Sequence, residues 1–449
     1  MANIVNEKIE TNFNDFIEDL KKLISIPSVY SEDESTYPFG EDIDRALKEM
    51  LFIAKKLGFE TFYDPEGYYG YAQYGQGEEM IGILGHLDVV PAGDPKKWNT
   101  PAFEPAIIDG SIFGRGVQDD KGPMLTAMYA LKAVMDSGIS VGKKVRFIYG
   151  TDEERLWKCI GQYNKKEQIP DYGFTPDANF PLIYAEKGLL QVDLKAANES
   201  GITLFGGEAY NSVPSGITYE TQKSEAIARQ LEDLGFEYKL SGDSITVSGK
   251  SVHAKDAEQG TNAICRLLMA MDAADLKSKC STFITQNINE DALAKNIFGE
   301  CTDEMSGALK FNIGKISMDE NHEILNIDIR IPVSVEKEFV LEKLTSAAHN
   351  HGFELSENDY LRSIYTPLDS PIVKALMESY QEVTGDLDSL PISSGGATYA
   401  RAMDNCVAFG PAFPYTKETE HQPNEFVKLE EVKLAMEVYS NAIIKLLKL

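Results

Sequence analysis

Five short segments of this sequence carry carboxylates and imidazoles in positions from which a fold can gather them. Gly85-His86-Leu87-Asp88 follows directly on the apolar run 80–84, and Gly150-Thr151-Asp152-Glu153-Glu154 follows directly on the apolar run 145–149. Gly114-Arg115-Gly116-Val117-Gln118-Asp119-Asp120-Lys121-Gly122 sets adjacent carboxylates in a glycine-flanked loop. Pro176-Asp177-Ala178-Asn179-Phe180-Pro181 holds another acid in a loop pinned by prolines. Glu420-His421-Gln422-Pro423-Asn424-Glu425 adds a second histidine near the C-terminus. Two histidines with three or more carboxylates form the mixed nitrogen and oxygen set that suits a pair of zinc or manganese ions. A single His or Asp after a strand is usually only a turn residue. The weight of the metal reading comes from the whole constellation.

The elements that must position these residues are legible as patterns. The runs 80–84 and 145–149 predict strands, and ligands in open α/β sheets sit beyond the carboxyl ends of the strands. Between them, residues 123–135 (PMLTAMYALKAVM) predict a helix entered through Gly122-Pro123. Phe13, Phe16, Ile17, Leu20, Leu23 and Ile24 recur at helical steps, and that helix should stop before Ile26-Pro27. Val432, Ala435, Tyr439, Ala442, Ile443 and Leu446 predict a closing helix.

A chain of 449 residues exceeds the usual size of one core, so two domains are expected. Alternating strands and helices at both ends predict an α/β catalytic domain, residues 1–185 and 387–449, with a mainly parallel sheet flanked by helices. Residues 186–386 read as an inserted α+β domain, with strands near 189–194, 244–247 and 325–331 and helices near 223–234, 262–271 and 336–347.

The formal net charge of −28 disfavours nucleic acids and anionic membranes as partners, since both would be repelled. No stretch has the uncharged apolar length of a membrane-spanning helix. The opening MANIVNEKIETNFNDF carries acids where a secretory signal needs basic and then apolar residues. Five scattered cysteines fit reduced thiols better than a disulfide framework, so the cytoplasm is the expected location.

Taken in order, GHLDVVPAGD, GRGVQDDKGP, GTDEE, PDANFP and EHQPNEF resemble the motifs of the dinuclear metallopeptidases of family M20. The match is closest to the bacterial dipeptidase V branch (Xaa-His dipeptidase, or carnosinase-like). The resemblance spans residues 85–426 and implies a dinuclear-zinc aminopeptidase-like fold. It also implies hydrolysis of dipeptides, and of other very short peptides, by a water shared between two divalent ions. Zinc is the first choice, with manganese and cobalt as alternatives. His86, Glu154, Asp177 and His421 would be terminal ligands and Asp119 the bridging one, with a cis peptide between Asp119 and Asp120. Asp88 would orient the His86 imidazole through its second nitrogen. Glu153 would be the general base, kept apart from Glu154 because neighbours in an extended chain point to opposite sides.

The inserted domain has its own matches. Gly249-Lys250-Ser251-Val252-His253-Ala254 resembles the family's lid motif, which makes His253 a donor to the oxyanion. Asn211, in GGEAYNSVP, resembles the lid asparagine that polarises the same carbonyl. Arg330, in NIDIRIP, resembles the arginine that pairs with the substrate's free carboxylate. Gly395, in GGATY, resembles the glycine loop approached by substrate. Dimeric relatives use a lid of about one hundred residues, the size of a minimal domain. The longer insertion here implies a lid of two subdomains and a monomer.

Arg155-Leu156 departs from the pattern, where a small or polar residue is more usual, so Arg155 would either crowd the site or pair with Asp152. Cys159 reads as an inert buried thiol, and His322, His349 and His351 lie outside every motif. Two other functions stay open: a deacylase or desuccinylase acting on N-acyl amino acids, and an inactive regulatory homologue.

Overall fold

The structure is a computed structural model that describes residues 2–32 and 36–449. The chain forms two compact units. The first comprises Met1–Tyr184, Thr366–Ile392 and Thr398–Leu449, and the second Ala185–Tyr365 and Ser393–Ala397.

In the first unit a large sheet is centred on four parallel strands, in the order Lys144–Gly150, Met80–His86, Tyr172–Thr175 and Cys406–Ala408. Glu60–Tyr63 and Gly70–Tyr74 extend it antiparallel on one side, and Ile183–Glu186 pairs antiparallel on the other. The sheet is therefore mixed, and the expectation of a mainly parallel one holds only for its centre. Met80–His86 is buried at every position, as a parallel strand covered on both faces must be.

The helix Ala2–Ile24 ends just short of Ile26-Pro27 and packs on Lys121–Asp136 and Leu429–Leu446. Of the periodic set of the sequence, Phe13, Phe16, Leu20, Leu23 and Ile24 are buried and Ile17 is half-buried. The first unit resumes at Thr366, not at residue 387. The reason is the helix Pro371–Thr384, whose buried Ile372, Val373, Leu376 and Tyr380 belong to a face that packs on Leu429–Leu446.

The second unit is built on a five-stranded antiparallel sheet in the order Leu204–Gly206, Lys310–Met318, His322–Ile331, Gly188–Ala197 and Glu354–Leu361. A three-stranded sheet, Gly216–Glu220, Ser244–Ser248 and Tyr238–Ser241, lies in the same unit with helices Ser224–Asp233, Ala263–Ala273 and Lys337–His349. The apolar residues of both sheets form one continuous cluster, with Leu190, Ile245, Leu267, Ile327 and Leu344 fully buried in it.

Close approach at the centre of the first sheet depends on two glycines. Gly82 and Gly173 are paired across parallel strands, and a Cβ on Gly173 would sit 2.0 Å from the Gly82 carbonyl oxygen. Gly173→Ala must push the strands that end in His86 and precede Asp177 apart. The expected cost is about 1–3 kcal/mol, read as a lowered urea midpoint. An unchanged midpoint would show that the strands have slack.

Candidate metal centre

The site lies at the carboxyl edge of the parallel strands, in the first unit. His86 ends the strand Met80–His86 and is fully buried. Asp119 closes the glycine-rich loop just before the helix Lys121–Asp136, and its peptide bond to Asp120 is cis. Glu153 and Glu154 lie in a turn after the strand Lys144–Gly150, and Asp177 follows Tyr172–Thr175. His421 stands in the C-terminal loop with φ of 60°, which turns its imidazole back on the others.

Asp119 joins the two halves of the cluster. Its Oδ1 lies 2.8 Å from His86 Nε2, and its Oδ2 lies 2.8 Å from His421 Nε2. Asp177 Oδ2 is 3.8 Å from His86 Nε2, and Glu154 Oε1 is 3.1 Å from His421 Nε2. Two triads result, His86–Asp119–Asp177 and Asp119–Glu154–His421, each offering donor atoms within 4.8 Å of one another. A carboxylate that gives one oxygen to each triad has the form of a bridging ligand.

The donor set fits a pair of divalent cations. His86 Nε2 and Asp119 Oδ1 are buried 2.8 Å apart with no other hydrogen-bond partner, an arrangement that fits two ligands of one cation. All the ligating atoms are nitrogen or carboxylate oxygen, within reach of zinc, manganese or cobalt.

The surrounding contacts set the protonation of the cluster. Burial pushes the Glu153 carboxyl well above the usual range, opposed by His86 and reinforced by Asp177, Glu154 and Asp119. Burial, then the Asp119 charge, pushes Asp177 up to about 7. Hydrogen bonds to Asp119 and Glu154 raise the His421 imidazole to about 11. Burial works against ionised Asp119, but His86 and His421 outweigh it and hold that carboxyl below its ordinary value.

Two details differ from expectation. The His86 Nδ1 hydrogen bond runs to the main-chain oxygen of Asp88, at 2.9 Å, while the Asp88 carboxylate stands 3.6 Å away. That carboxylate instead accepts the backbone N–H groups of Glu153 and Glu154, both at 3.1 Å. A turn held by Asp88, not strand alternation, therefore separates Glu153 from Glu154. Arg155 neither crowds the donors nor bonds Asp152: its guanidinium lies 3.4 Å from the centre of the Tyr30 ring, and Asp152 accepts the Lys158 N–H.

Three supporting residues went unread in the sequence. Asp120, fully buried, accepts the His86 N–H at 3.0 Å. Glu425 accepts from Arg115 at 2.6 Å and from the backbone N–H groups of Gly116 and Gln118, so it clamps the loop that carries Asp119. Charged residues inside otherwise apolar or glycine-rich motifs were the available signal, since a buried charge needs a partner. Cys159 is buried with its thiol pushed up to about 12 by burial, consistent with an inert role.

The other expected site residues fall in the second unit, which brings them together. The Asn211 carbonyl accepts the N–H of Ala254, beside His253. Arg330 donates Nη1 to the carbonyl of Gly395 at 2.9 Å, and Nε and Nη2 to Asp328 at 2.6 and 3.0 Å. His253 Nδ1 accepts the Lys255 N–H at 3.1 Å, which leaves the proton of the neutral ring on Nε2. Partial desolvation, then the Arg330 and Lys255 charges, hold the pKa of this exposed residue down at about 4. His322, His349 and His351 stay apart from both clusters; the His351 ring pairs with Asn287.

Comparison with known proteins places this geometry. The profile of "Peptidase family M20/M25/M40" matches residues 82–445. The "Putative dipeptidase YtjP" of Bacillus subtilis (strain 168) is 34% identical over 460 residues, covering 97% of each chain. Human carnosine dipeptidase 1 has a similar fold, with a TM-score of 0.61 at 16% identity over 100% of this chain and 99% of that one. The Saccharomyces cerevisiae di-peptidase Dug1p aligns with a TM-score of 0.63 at 14% identity, over 100% and 99% of the two chains. The chain belongs to peptidase family M20/M25/M40 and is an enzyme of that family.

Proposed function

We propose that the protein is a dipeptidase that hydrolyses the single peptide bond of dipeptides at a pair of divalent cations. The observation that carries this reading is the shared Asp119 carboxylate, with Glu153 beside both triads and a member of neither. Bound by His86, Asp177, Glu154, His421 and Asp119, two cations would polarise the scissile carbonyl and lower the pKa of a water. Zinc is the first choice, with manganese and cobalt as alternatives.

Glu153 then takes the proton of the attacking water and returns it to the leaving amine nitrogen. Its raised proton affinity suits both steps, since a carboxyl that holds a proton more readily than usual can take one from water and pass it to the amine. His253, neutral with its proton on Nε2, donates to the oxygen that becomes negative in the tetrahedral intermediate, and Asn211 assists. Arg330 uses the N–H groups left on Nη1 and Nη2 to hold the free carboxylate of the substrate, alongside the Gly395 loop. That contact favours dipeptides, because a third residue would carry the carboxylate out of register. The working form is a monomer in the cytoplasm. Among the described residues no helix is long and apolar enough to cross a membrane.

A panel of dipeptides, tripeptides and N-acyl amino acids, assayed with added zinc, manganese or cobalt alongside light scattering, tests this reading. Dipeptides should be cleaved fastest by a monomer. Preference for N-acyl amino acids would assign a deacylase instead.

Glu153→Gln should lower kcat by at least about a hundredfold with bound metal retained, whereas Glu154→Gln should lose metal first. Metal content measured beside the rate separates the two, and a Glu153→Gln enzyme near wild-type rate would remove Glu153 as the base. Proton NMR of the His253 ring should give a midpoint near 4, below the ordinary 6.5. The ring is then neutral, and able to donate from Nε2 with Nδ1 accepting, at any pH well above that midpoint. A midpoint at 6.5 or higher would contradict the neutral-donor role.

A further inference from the structure

A cavity of about 130 Å³ adjoins the metal centre and is lined wholly by residues of the first unit, Asp119 and Asp177 among them. Exposure falls from Glu418, open to solvent, through half-buried Glu420 to Phe16 and Leu20, which are fully buried. That gradient sets a polar mouth and an apolar floor, and Val432 and Ala435 of the closing helix complete the floor. A dry apolar cavity of about 150 Å³ is enough to hold benzene, so this slightly smaller one has room for a single branched aliphatic side chain.

The charge of the lining is one-sided. Glu418, Glu420 and Glu431 join Asp119 and Asp177, and none of the described lining residues is basic. Glu431 is 6% exposed. Its Oε2 accepts the Thr416 hydroxyl at 2.8 Å, and its Oε1 forms an ion pair with Lys428 Nζ at 3.0 Å. The other carboxylates of the lining, Glu418 and Glu420 at its mouth, favour a cationic ligand and repel an anion.

We propose that this cavity is the specificity pocket for the N-terminal residue of the substrate, a reading that rests on the dipeptidase assignment. A dipeptide is a zwitterion whose positive end belongs to its first residue. The acidic mouth at Glu418 and Glu420 attracts that ammonium and repels the carboxylate end. The apolar floor takes the first side chain, and an acidic one buried there would leave its charge unpaired. The walls shared with Asp119 and Asp177 put the following carbonyl beside the metal centre.

The metal-loaded full-length enzyme tests this with Gly-Gly, Leu-Gly, Phe-Gly and Glu-Gly. Leu-Gly should exceed both Gly-Gly and Glu-Gly in kcat/KM by at least about tenfold. Ala435→Leu, which fills the floor, should reduce the Leu-Gly to Gly-Gly ratio at least about tenfold. Val432→Ala, which enlarges it, should move preference from Leu-Gly toward Phe-Gly and still reads the pocket if the filled variant does not fold. Dipeptide cleavage with both ratios unchanged in the variants overturns the pocket alone. If the wild-type enzyme cleaves none of the four, the dipeptidase reading fails and the pocket with it.

Discussion

The Asp119 carboxylate, caught between the imidazoles of His86 and His421, is the contact on which the metal centre depends. It sits on a loop with little side-chain mass of its own, so its position is imposed from outside. Glu425 takes the Arg115 guanidinium on one oxygen and two loop N–H groups on the other. Lys121, fully buried, donates to the carbonyls of Leu23 and Ile26 at the end of the first helix. Buried ion pairs of this kind add little net stability, yet losing one partner costs about 3–5 kcal/mol because the other charge is stranded. Their effect here is to fix geometry: the loop is held by contacts that only one arrangement satisfies.

Asp88 shows how one residue can couple two strand ends. Its main-chain oxygen meets the His86 ring, and its carboxylate takes the N–H groups of Glu153 and Glu154. A terminal ligand, the proposed base and a second ligand are thereby referenced to a single side chain. Asp120 adds a further tie by accepting the His86 N–H. The second unit repeats the device, since Asp328 grips two nitrogens of Arg330 and Gly395 a third, leaving the guanidinium one free edge. Bidentate acid–guanidinium contacts orient as well as bind.

The elements were legible in the sequence because they follow local rules, and the residues of the candidate metal site were marked there by motifs that resemble the family's. Helical spacing from Phe13 to Ile24 and the unbroken apolar run before His86 report burial directly. His86 ends a strand, Asp119 precedes a helix, and Glu154, Asp177 and His421 stand in turns and loops, where a polar residue must have either solvent or a partner. What stayed hidden depends on contacts far apart in the chain. Arg115 and Glu425 are separated by 310 positions, and Gln118 and Glu425 by 307. Arg155 looked like a neighbour of the metals, but a turn carries its guanidinium onto Tyr30. The helix Pro371–Thr384 has an ordinary amphipathic pattern that does not say which unit its apolar face will join.

The remaining constraint is electrostatic. Asp119, Glu153, Glu154 and Asp177 crowd around two imidazoles in a chain whose net charge is already −28. Burial raises Glu153, Glu154 and Asp177 together, so without added cations the cluster holds protons on oxygens that a metal would use. Metal and proton therefore compete for Glu154 and Asp177, and binding a cation releases what burial had forced on. Glu153 stands outside that exchange because it belongs to neither triad. It is left free to take a proton, and this difference between adjacent carboxylates would divide base from ligand.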